Sequence, residues 1–342
     1  MEAKNMKRRD FIKSGGLALS TFAIPFSIMD FFTESNKKNN MNNQQKFDAI
    51  IIGGSYAGLS AAMALGRSTR NTLVIDNGKP CNRQTPHSHN FLTQDGQTPK
   101  EIATLGKAQV AQYPTISFHD GLATKGTKTT DGFEVTTQSG KVFTSKKLIF
   151  ATGIADEMPD IEGFAECWGI SVIHCPYCHG YEYRKQKTAL MANGETAFHM
   201  IPLIHNLTDQ LIVLTQGKAD FSEEQWQKIK AHKVEVIEKE ITAVKHQKGH
   251  IEKVVFKDGT TLELDAMYAA IPFKQHTDIP QALGCEMTEQ GYIQVDDFQK
   301  TNIAGVYACG DNATRMRSVA NAVYQGSVAG AMLNGELSHE IF

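Results

Sequence analysis

Short apolar runs that end at small-residue turns recur along this chain from Phe47 onward. Phe47-Asp48-Ala49-Ile50-Ile51-Ile52 predicts a buried strand that runs into Gly53-Gly54-Ser55-Tyr56-Ala57-Gly58 and then an Ala-rich helix to about Arg67. Thr72-Leu73-Val74-Ile75-Asp76 predicts a second strand that closes on an acidic residue. Lys147-Leu148-Ile149-Phe150 stops at the turn Ala151-Thr152-Gly153, and Gly305-Val306-Tyr307-Ala308-Cys309-Gly310-Asp311 has the same form. Between them, Thr188-Ala189-Leu190-Met191 and Leu211-Ile212-Val213-Leu214-Thr215 predict two more strands. The intervening turn is Ala192-Asn193-Gly194-Glu195-Thr196-Ala197, and Pro202 is expected to disturb the helix after it. Gly132 to Thr137, and Glu252 to Phe256 before Asp258-Gly259, predict short hairpins with no chemistry of their own.

The turn after Phe47–Ile52 carries a physical meaning. Small residues let the backbone approach a pyrophosphate, and the helix that follows offers unpaired N–H groups and the positive end of its dipole. Asp76 stands about 20 residues onward, where a carboxylate grips ribose hydroxyls. Ser55 replaces a glycine of the usual G-x-G-x-x-G, which crowds the ligand but leaves a hydroxyl donor. Strand, turn, helix, strand and acid together predict a dinucleotide site; the competing reading is a glycine-rich turn in an unrelated α/β protein. Composition adds exclusions. Thirty-five basic and 37 acidic residues give a formal charge of -2, so the balance predicts neither nucleic acid nor an anionic membrane as partner.

Taken together, the first turn, the A-T-G turn and the G-V-Y-A-C-G-D segment resemble the three FAD-contacting segments of two-dinucleotide-domain flavoprotein disulfide reductases. The resemblance covers nearly everything after Phe47. It implies an α/β fold of two Rossmann-like dinucleotide-binding domains, with the FAD domain discontinuous (47–157 and 272–342) and a degenerate NAD(P)H-type domain (158–271) inserted. It implies FAD contacts from Gly53, Ser55, Tyr56, Ala57 and Gly58 of the first turn, and from Asp76 and Asn77 beyond the second strand. Further contacts implied are Arg83, Asn90 and Ala123, then Ala151, Thr152 and Gly153. At the far end Gly310, Asp311 on the ribityl chain, and Val319 and Ala320 at the start of the last helix complete the set. Pro86 to Leu92 resembles the loop over the isoalloxazine, with His87 and His89 as weaker candidates for chemistry. A homodimer is implied as well.

Six cysteines fall at 81, 167, 175, 178, 285 and 309, too sparse for a disulfide scaffold. Cys175-Pro176-Tyr177-Cys178 alone forms a close pair. A C-x-x-C loop can close a disulfide, and a thiolate there can be stabilised so that exchange runs near neutral pH. Zinc would need a second pair of ligands that the chain lacks. Covalent haem fits the string C-x-x-C-H but competes with the flavin segments, and an inert buried pair is the remaining alternative. The position of the pair, after the A-T-G turn, resembles low-molecular-weight thioredoxin reductases. That resemblance implies that Cys178 faces the flavin while Cys175 meets the substrate sulfur. Where that family has an aspartate after the second cysteine, this chain has His179, with His174 before the pair. Either imidazole is competent to take a thiol proton or to stand as a counter-ion to a thiolate.

The partner for the flavin is the open question. The turn at Ala192–Ala197 lacks the first glycine of a nicotinamide site, and Gln216-Gly217-Lys218 offers one lysine where an NADP phosphate wants clustered arginines. NADPH is therefore doubtful on these residues, though a divergent turn that still binds it is the competing reading. His174-Cys175-Pro176-Tyr177-Cys178-His179-Gly180-Tyr181-Glu182 resembles gliotoxin-type dithiol oxidases, which implies a small dithiol as substrate and oxygen as flavin oxidant. The alternative is a reductase that takes electrons from NADPH or another donor and passes them to a thioredoxin-like protein. A flavin-binding sensor or scaffold leaves the cysteine pair unexplained.

Ahead of the fold, Lys7-Arg8-Arg9-Asp10-Phe11-Ile12-Lys13 and the apolar run from Gly15 to Phe32 resemble a twin-arginine export signal, and Asn36 to Gln45 reads as a polar linker. Residues 1–46 are thus expected to direct a folded flavoprotein to the periplasm, free or anchored. A basic amphipathic tail on a cytoplasmic protein is the other reading.

Overall fold

The computed structural model describes residues 46–342. The expected export signal and the linker as far as Gln45 lie outside the described residues. β1 (Lys46–Ile52) is apolar on both faces and feeds α1 (Tyr56–Arg67); β2 (Thr72–Asp76) returns parallel to it, with Ala49 opposite Thr72. α2 (Pro99–Val110) starts at a capping box in which Thr98 and Glu101 satisfy each other's backbone N–H. β3 (Ile116–Asp120) then lies beside β2. β4 (Ala123–Thr129), β5 (Gly132–Thr137) and β6 (Val142–Phe150) form an antiparallel meander. The expected hairpin at Gly132 is thus the middle strand. From Thr144 to Phe150 β6 also runs parallel to β1.

β7 (Ile154–Asp156) leaves this sheet. Next come α3 (Phe164–Cys167), β8 (Val172–Ile173), α4 (Pro176–His179), β9 (Thr188–Met191) and α5 (Gly194–His205). After them run β10 (Leu211–Leu214), α6 (Glu223–Ala231) and β11 (Glu235–Ile237). β12 (Ile241–Gln247), β13 (His250–Phe256) and β14 (Thr261–Glu263) form a small antiparallel sheet, and β15 (Ala266–Ala269) returns to the centre. The resulting sheet has the order β11-β10-β9-β15-β8 and is parallel throughout. Pro202 does not disturb α5 as expected. The helix runs through it because Ala197, Ile201 and Ile204 pack into the core, which outweighs the one hydrogen bond the ring removes.

β16 (Phe273–Gln275) pairs antiparallel with β7, so the outgoing and returning chains run side by side. α7 (Ile279–Ala282) follows, β17 (Val306–Ala308) slots against β6 with Val306 opposite Leu148, and α8 (Val319–His339) closes the chain. The first sheet thus has the order β3-β2-β1-β6-β5-β4, with β17 also on β6. The α/β fold of two Rossmann-like units is the one expected, the first unit assembled from two separated pieces and the second inserted. Among the described residues no helix is long and apolar enough to cross a membrane.

α8 reaches the first sheet by lying on α1, and small residues make the contact. A Cβ on Gly326 would overlap the carbonyl oxygen of Ala57, and one on Gly330 would stand 2.7 Å from that of Ala61. Ser60 Oγ donates to Val323 O at 2.6 Å across the same seam. Gly326→Ala should therefore destabilise the protein by about 1–3 kcal/mol. Gly335, in the same helix with nothing within 4 Å of its would-be Cβ, should gain roughly 0.5–1 kcal/mol on replacement by alanine. Urea midpoints of the two variants, moving in opposite directions, check the packing.

Candidate active site

The strands of the first sheet end in turns that share one cavity of about 570 Å³. Gly53, with φ of +105°, sits against the carbonyl of Ala151, and a Cβ on Gly54 would lie 2.8 Å from that of Asp76. Asp76 Oδ1 accepts from Gly54 N at 3.0 Å, which fixes the carboxylate beside the turn. α1 begins here with Ser55 as its N-cap, yet Ser55 makes no side-chain cap bond, and the first helical turn has no acidic residue. The helix therefore presents open N–H groups and its positive end to the cavity. Asn312 ties the other two turns together, donating to Phe150 O at 2.9 Å and to Thr152 Oγ1 at 3.1 Å. Gln325 Oε1 accepts from Gly310 N at 2.7 Å. A cradle without side chains, an uncapped helix start and a carboxylate at the strand end fit the pyrophosphate and ribose of FAD.

Of the residues expected from sequence to hold the flavin, Gly53, Ser55, Tyr56, Ala57, Asp76, Asn77, Arg83 and Ala123 line this cavity. So do Ala151, Thr152, Gly153, Gly310, Asp311 and Val319. Three do not. Gly58 is packing: a Cβ there would run into the carbonyl of Gly53, so it sets how closely the helix follows the turn. Asn90 is exposed with φ of +58°, its N–H given to Asp95 Oδ1 at 2.8 Å. Ala320 points outward from the first turn of α8.

The second unit places the cysteine pair at this cavity. Cys175 is the N-cap of the short helix α4, and its sulfur accepts from Cys178 N at 3.2 Å. All six cysteines are free thiols. Cys178 and His179 line the cavity, whereas Cys175 is not on its wall. The two thiols are electrostatically unequal. The hydrogen bond from the Cys178 thiol, aided by backbone N–H groups and opposed by burial, brings Cys175 down to about 7. The same bond, with burial, pushes Cys178 well above the ordinary thiol range. In the dithiol, Cys175 carries the charge and Cys178 keeps its proton.

Both histidines stand beside the pair, but not as cations. Burial, with Arg317 nearby, pushes His174 down to about 3, and its Nε2 is buried without a partner. Burial also lowers His179, against the pull of Glu182. The expectation of an imidazolium counter-ion is therefore corrected: a neutral ring in a desolvated site can accept a proton but does not stabilise a thiolate by charge. His89 joins the loop 86–95 to the cysteine segment, with Nε2 at 3.5 Å from Glu182 and Nδ1 at 3.6 Å from Asp95. His87 is exposed and bonded to Gly96 O. Among the cations that line the cavity, Arg317 is one that the sequence did not single out. Its Nη1 and Nη2 donate to both oxygens of Asp156 at 2.9 and 3.2 Å. A lone arginine whose partner is 161 residues away leaves no local signal. Cys81, also unremarked, lies 3.7 Å from Asp311 Oδ2, and burial pushes it up to about 12.

The second helix start differs from the first. At α5 the Asn193 side chain is the cap: Oδ1 accepts from Gly194 N at 2.9 Å and from Asp220 N at 2.8 Å. Nδ2 donates to Lys218 O at 2.9 Å and to Thr215 O at 3.4 Å. Glu195 adds a carboxylate to the first helical turn. Where a nicotinamide pyrophosphate meets a Rossmann helix, the N–H of Gly194 is thus held by the protein's own carboxamide, and Glu195 adds negative charge beside it.

Comparison with known proteins agrees with this geometry. The family model described as pyridine nucleotide-disulphide oxidoreductase matches residues 47–326. The chain is 32% identical over 314 residues to thioredoxin reductase tcpT of Claviceps purpurea (strain 20.1), covering 87% of this chain and 96% of that one. It is 30% identical over 306 residues to thioredoxin reductase aclD of Aspergillus oryzae, covering 86% and 97%. Among solved structures, the oxidoreductase from Agrobacterium tumefaciens superposes with a TM-score of 0.81 at 36% identity, covering 86% and 99%.

The unequal thiols give a direct test. In the reduced protein Cys175 should be alkylated first, with a midpoint at about 7 and a rate falling about tenfold per pH unit below it. Cys178, Cys81 and Cys309 should stay unlabelled until far more alkaline pH. Peptide mapping by mass spectrometry reads the order, and labelling of Cys178 ahead of Cys175 would reverse the assignment.

Proposed function

The chain belongs to the pyridine nucleotide-disulphide oxidoreductase family, and from that footing we propose that it oxidises a small dithiol to a disulfide through Cys175 and Cys178. It is an FAD-dependent oxidoreductase of the thioredoxin reductase type. The observation that carries the oxidative direction is the capped start of α5, where Asn193 takes the first helical N–H. One helix of the chain opens its N-terminus to a dinucleotide while its counterpart fills the same position with Asn193.

The residues divide the work as follows. A substrate thiolate attacks Cys175 of the oxidised pair, and the sulfur–sulfur bond breaks with its electrons leaving on Cys178. The second substrate thiolate then attacks the substrate sulfur of the mixed disulfide and displaces Cys175. A thiol held down to about 7 is a good leaving group in that step. The thiolate left on Cys178 takes up a substrate proton in the reduced pair, and neutral His179 accepts that proton before the pair is closed again. Bound in the cavity, FAD supplies the two-electron acceptor that dioxygen turns over to hydrogen peroxide. In the balance, the dithiol gives up two electrons and two protons and dioxygen takes both.

The same reading takes 47–157 and 272–342 as the flavin domain and 158–271 as the inserted domain, in a homodimer. It takes Gly53, Ser55, Tyr56, Ala57, Asp76 and Asp311 as the principal flavin contacts. Residues 1–46 are proposed to export the folded protein, free in the periplasm or anchored facing it, where cytosolic NADPH is out of reach; without a working signal the protein is cytoplasmic. The names of the fungal relatives favour the opposite direction, a thioredoxin-disulfide reductase fed by NADPH or another donor.

Anaerobic stopped-flow mixing separates the two. Bleaching of the flavin by a small dithiol but by neither NADPH nor NADH, with colour and peroxide returning on air, is the expected result. Rapid bleaching by NADPH would make the protein a reductase. Cys175→Ser and Cys178→Ser should keep their flavin and lose at least about a thousandfold in dithiol turnover. His179→Ala should slow turnover by roughly 10²- to 10⁴-fold, and an unchanged rate would remove it from the mechanism.

A further inference from the structure

Arg317 enters the cavity wall from the loop before α8, and its guanidinium is hydrogen-bonded to Asp156 and faces Asp311 at the longer distance of an ion pair. The fork to Asp156 uses Nη1 and Nη2, and Asp156 Oδ2 accepts a further bond at 3.0 Å from Trp168 Nε1, a residue of the inserted unit. Trp168 in turn lies against His174, with ring centroids 6.1 Å apart. The arginine is thus pinned from the linker strand β7 and, through Trp168, is joined to the segment that carries the cysteines. Its remaining nitrogen, Nε, is buried and has no hydrogen-bond partner, and Asp311 Oδ2 stands off at 3.7 Å. That distance is too long for a hydrogen bond. A buried guanidinium held this way projects charge into the cavity, where weak screening makes it count.

Cys178 and Arg317 line that cavity together, and Cys175 does not. Cys175 on its own turn and burial disfavour a Cys178 thiolate most; from the flavin side Asp311 disfavours it and Arg317 is the group that favours it, as it also does at Cys175. His174 and His179 beside it are kept neutral by burial, and burial likewise keeps Tyr268 of β15 un-ionised. In the dithiol, Cys175 takes the charge and suppresses ionisation of Cys178. Once Cys175 is bonded to a substrate sulfur it has no charge to exert, and Arg317 is left opposing Asp311.

We propose that Arg317, pinned by Asp156, is the positioning cation that holds Cys178 as the leaving thiolate when a thiol attacks Cys175. In that step the substrate sulfur bonds to Cys175 Sγ, the Cys175–Cys178 bond breaks, and its electron pair departs on Cys178 Sγ with no proton transferred. The inference rests on Cys175 and Cys178 being the redox pair and specifies what makes one of them leave.

The test needs no turnover. Cys175→Ser mimics the state in which position 175 carries no charge, and the pH profile of Cys178 alkylation is followed in that background, with flavin content measured alongside. Adding Arg317→Gln should raise the midpoint by about one pH unit, seen as ~tenfold slower labelling at neutral pH, while Arg317→Lys restores most of the rate. A midpoint unmoved by Arg317→Gln in folded, flavin-loaded protein overturns the proposal. Should that variant not fold, Asp311→Asn asks the question with the opposite sign: loss of the opposing carboxylate should lower the midpoint, and no shift is again fatal. Failure of the redox-pair reading would look different, as full dithiol turnover in the Cys178→Ser enzyme.

Discussion

Close backbone approach at the ends of parallel strands is the constraint on which the rest of this molecule depends. The turns at 53–58, 151–153 and 310–312 are far apart in sequence, and they meet because Gly53 can lie against the carbonyl of Ala151 and Gly326 against that of Ala57. No L side chain fits at those contacts. Around them, Gln325 satisfies Gly310 N, and Asn312 adds a second bond to Phe150 O, which already accepts from Cys309 N. The cavity is therefore a consequence of how the first sheet is closed.

The two Rossmann units use the same local physics to opposite ends. A helix start is a cluster of unsatisfied donors, and something must satisfy them. In α1 the protein leaves that role to a ligand; in α5 it answers with Asn193, which also holds the 215–220 loop in place. Reopening α5 would strand four hydrogen bonds in the protein itself, so the closure is built into the second unit's own fold.

The dithiol works by inequality. A hydrogen bond from the Cys178 thiol, with the backbone donors of the N-cap position, favours a thiolate at Cys175, and the same thiol–thiol bond, with burial, keeps Cys178 protonated. Burial makes the flanking histidines neutral, which removes them as counter-charges and leaves Arg317, fixed by a carboxylate from another strand, to work against Asp311 at the cavity wall. Charge in a desolvated site follows the few groups that remain ionised.

Much of this protein was legible along the chain. The strand and turn patterns at Phe47–Gly58, Thr72–Asp76 and Lys147–Gly153 report local conformation, which a few consecutive residues determine, and the spacing of Cys175 and Cys178 reports a loop that can close. The missing glycine at Ala192 was visible too, although not that Asn193 fills the gap, because its partners are the distant Lys218 and Asp220. Asn90 and Ala320 lie in segments that border the cavity without lining it themselves, since the direction of a side chain on a loop or a first helical turn is set by packing. Arg317, Asp156 and Trp168 carried no local mark at all. Their meaning lies in a contact between residues 317, 156 and 168 that exists only when the two sheets are assembled, because long-range electrostatics and burial are properties of the folded surroundings and not of the neighbours in sequence.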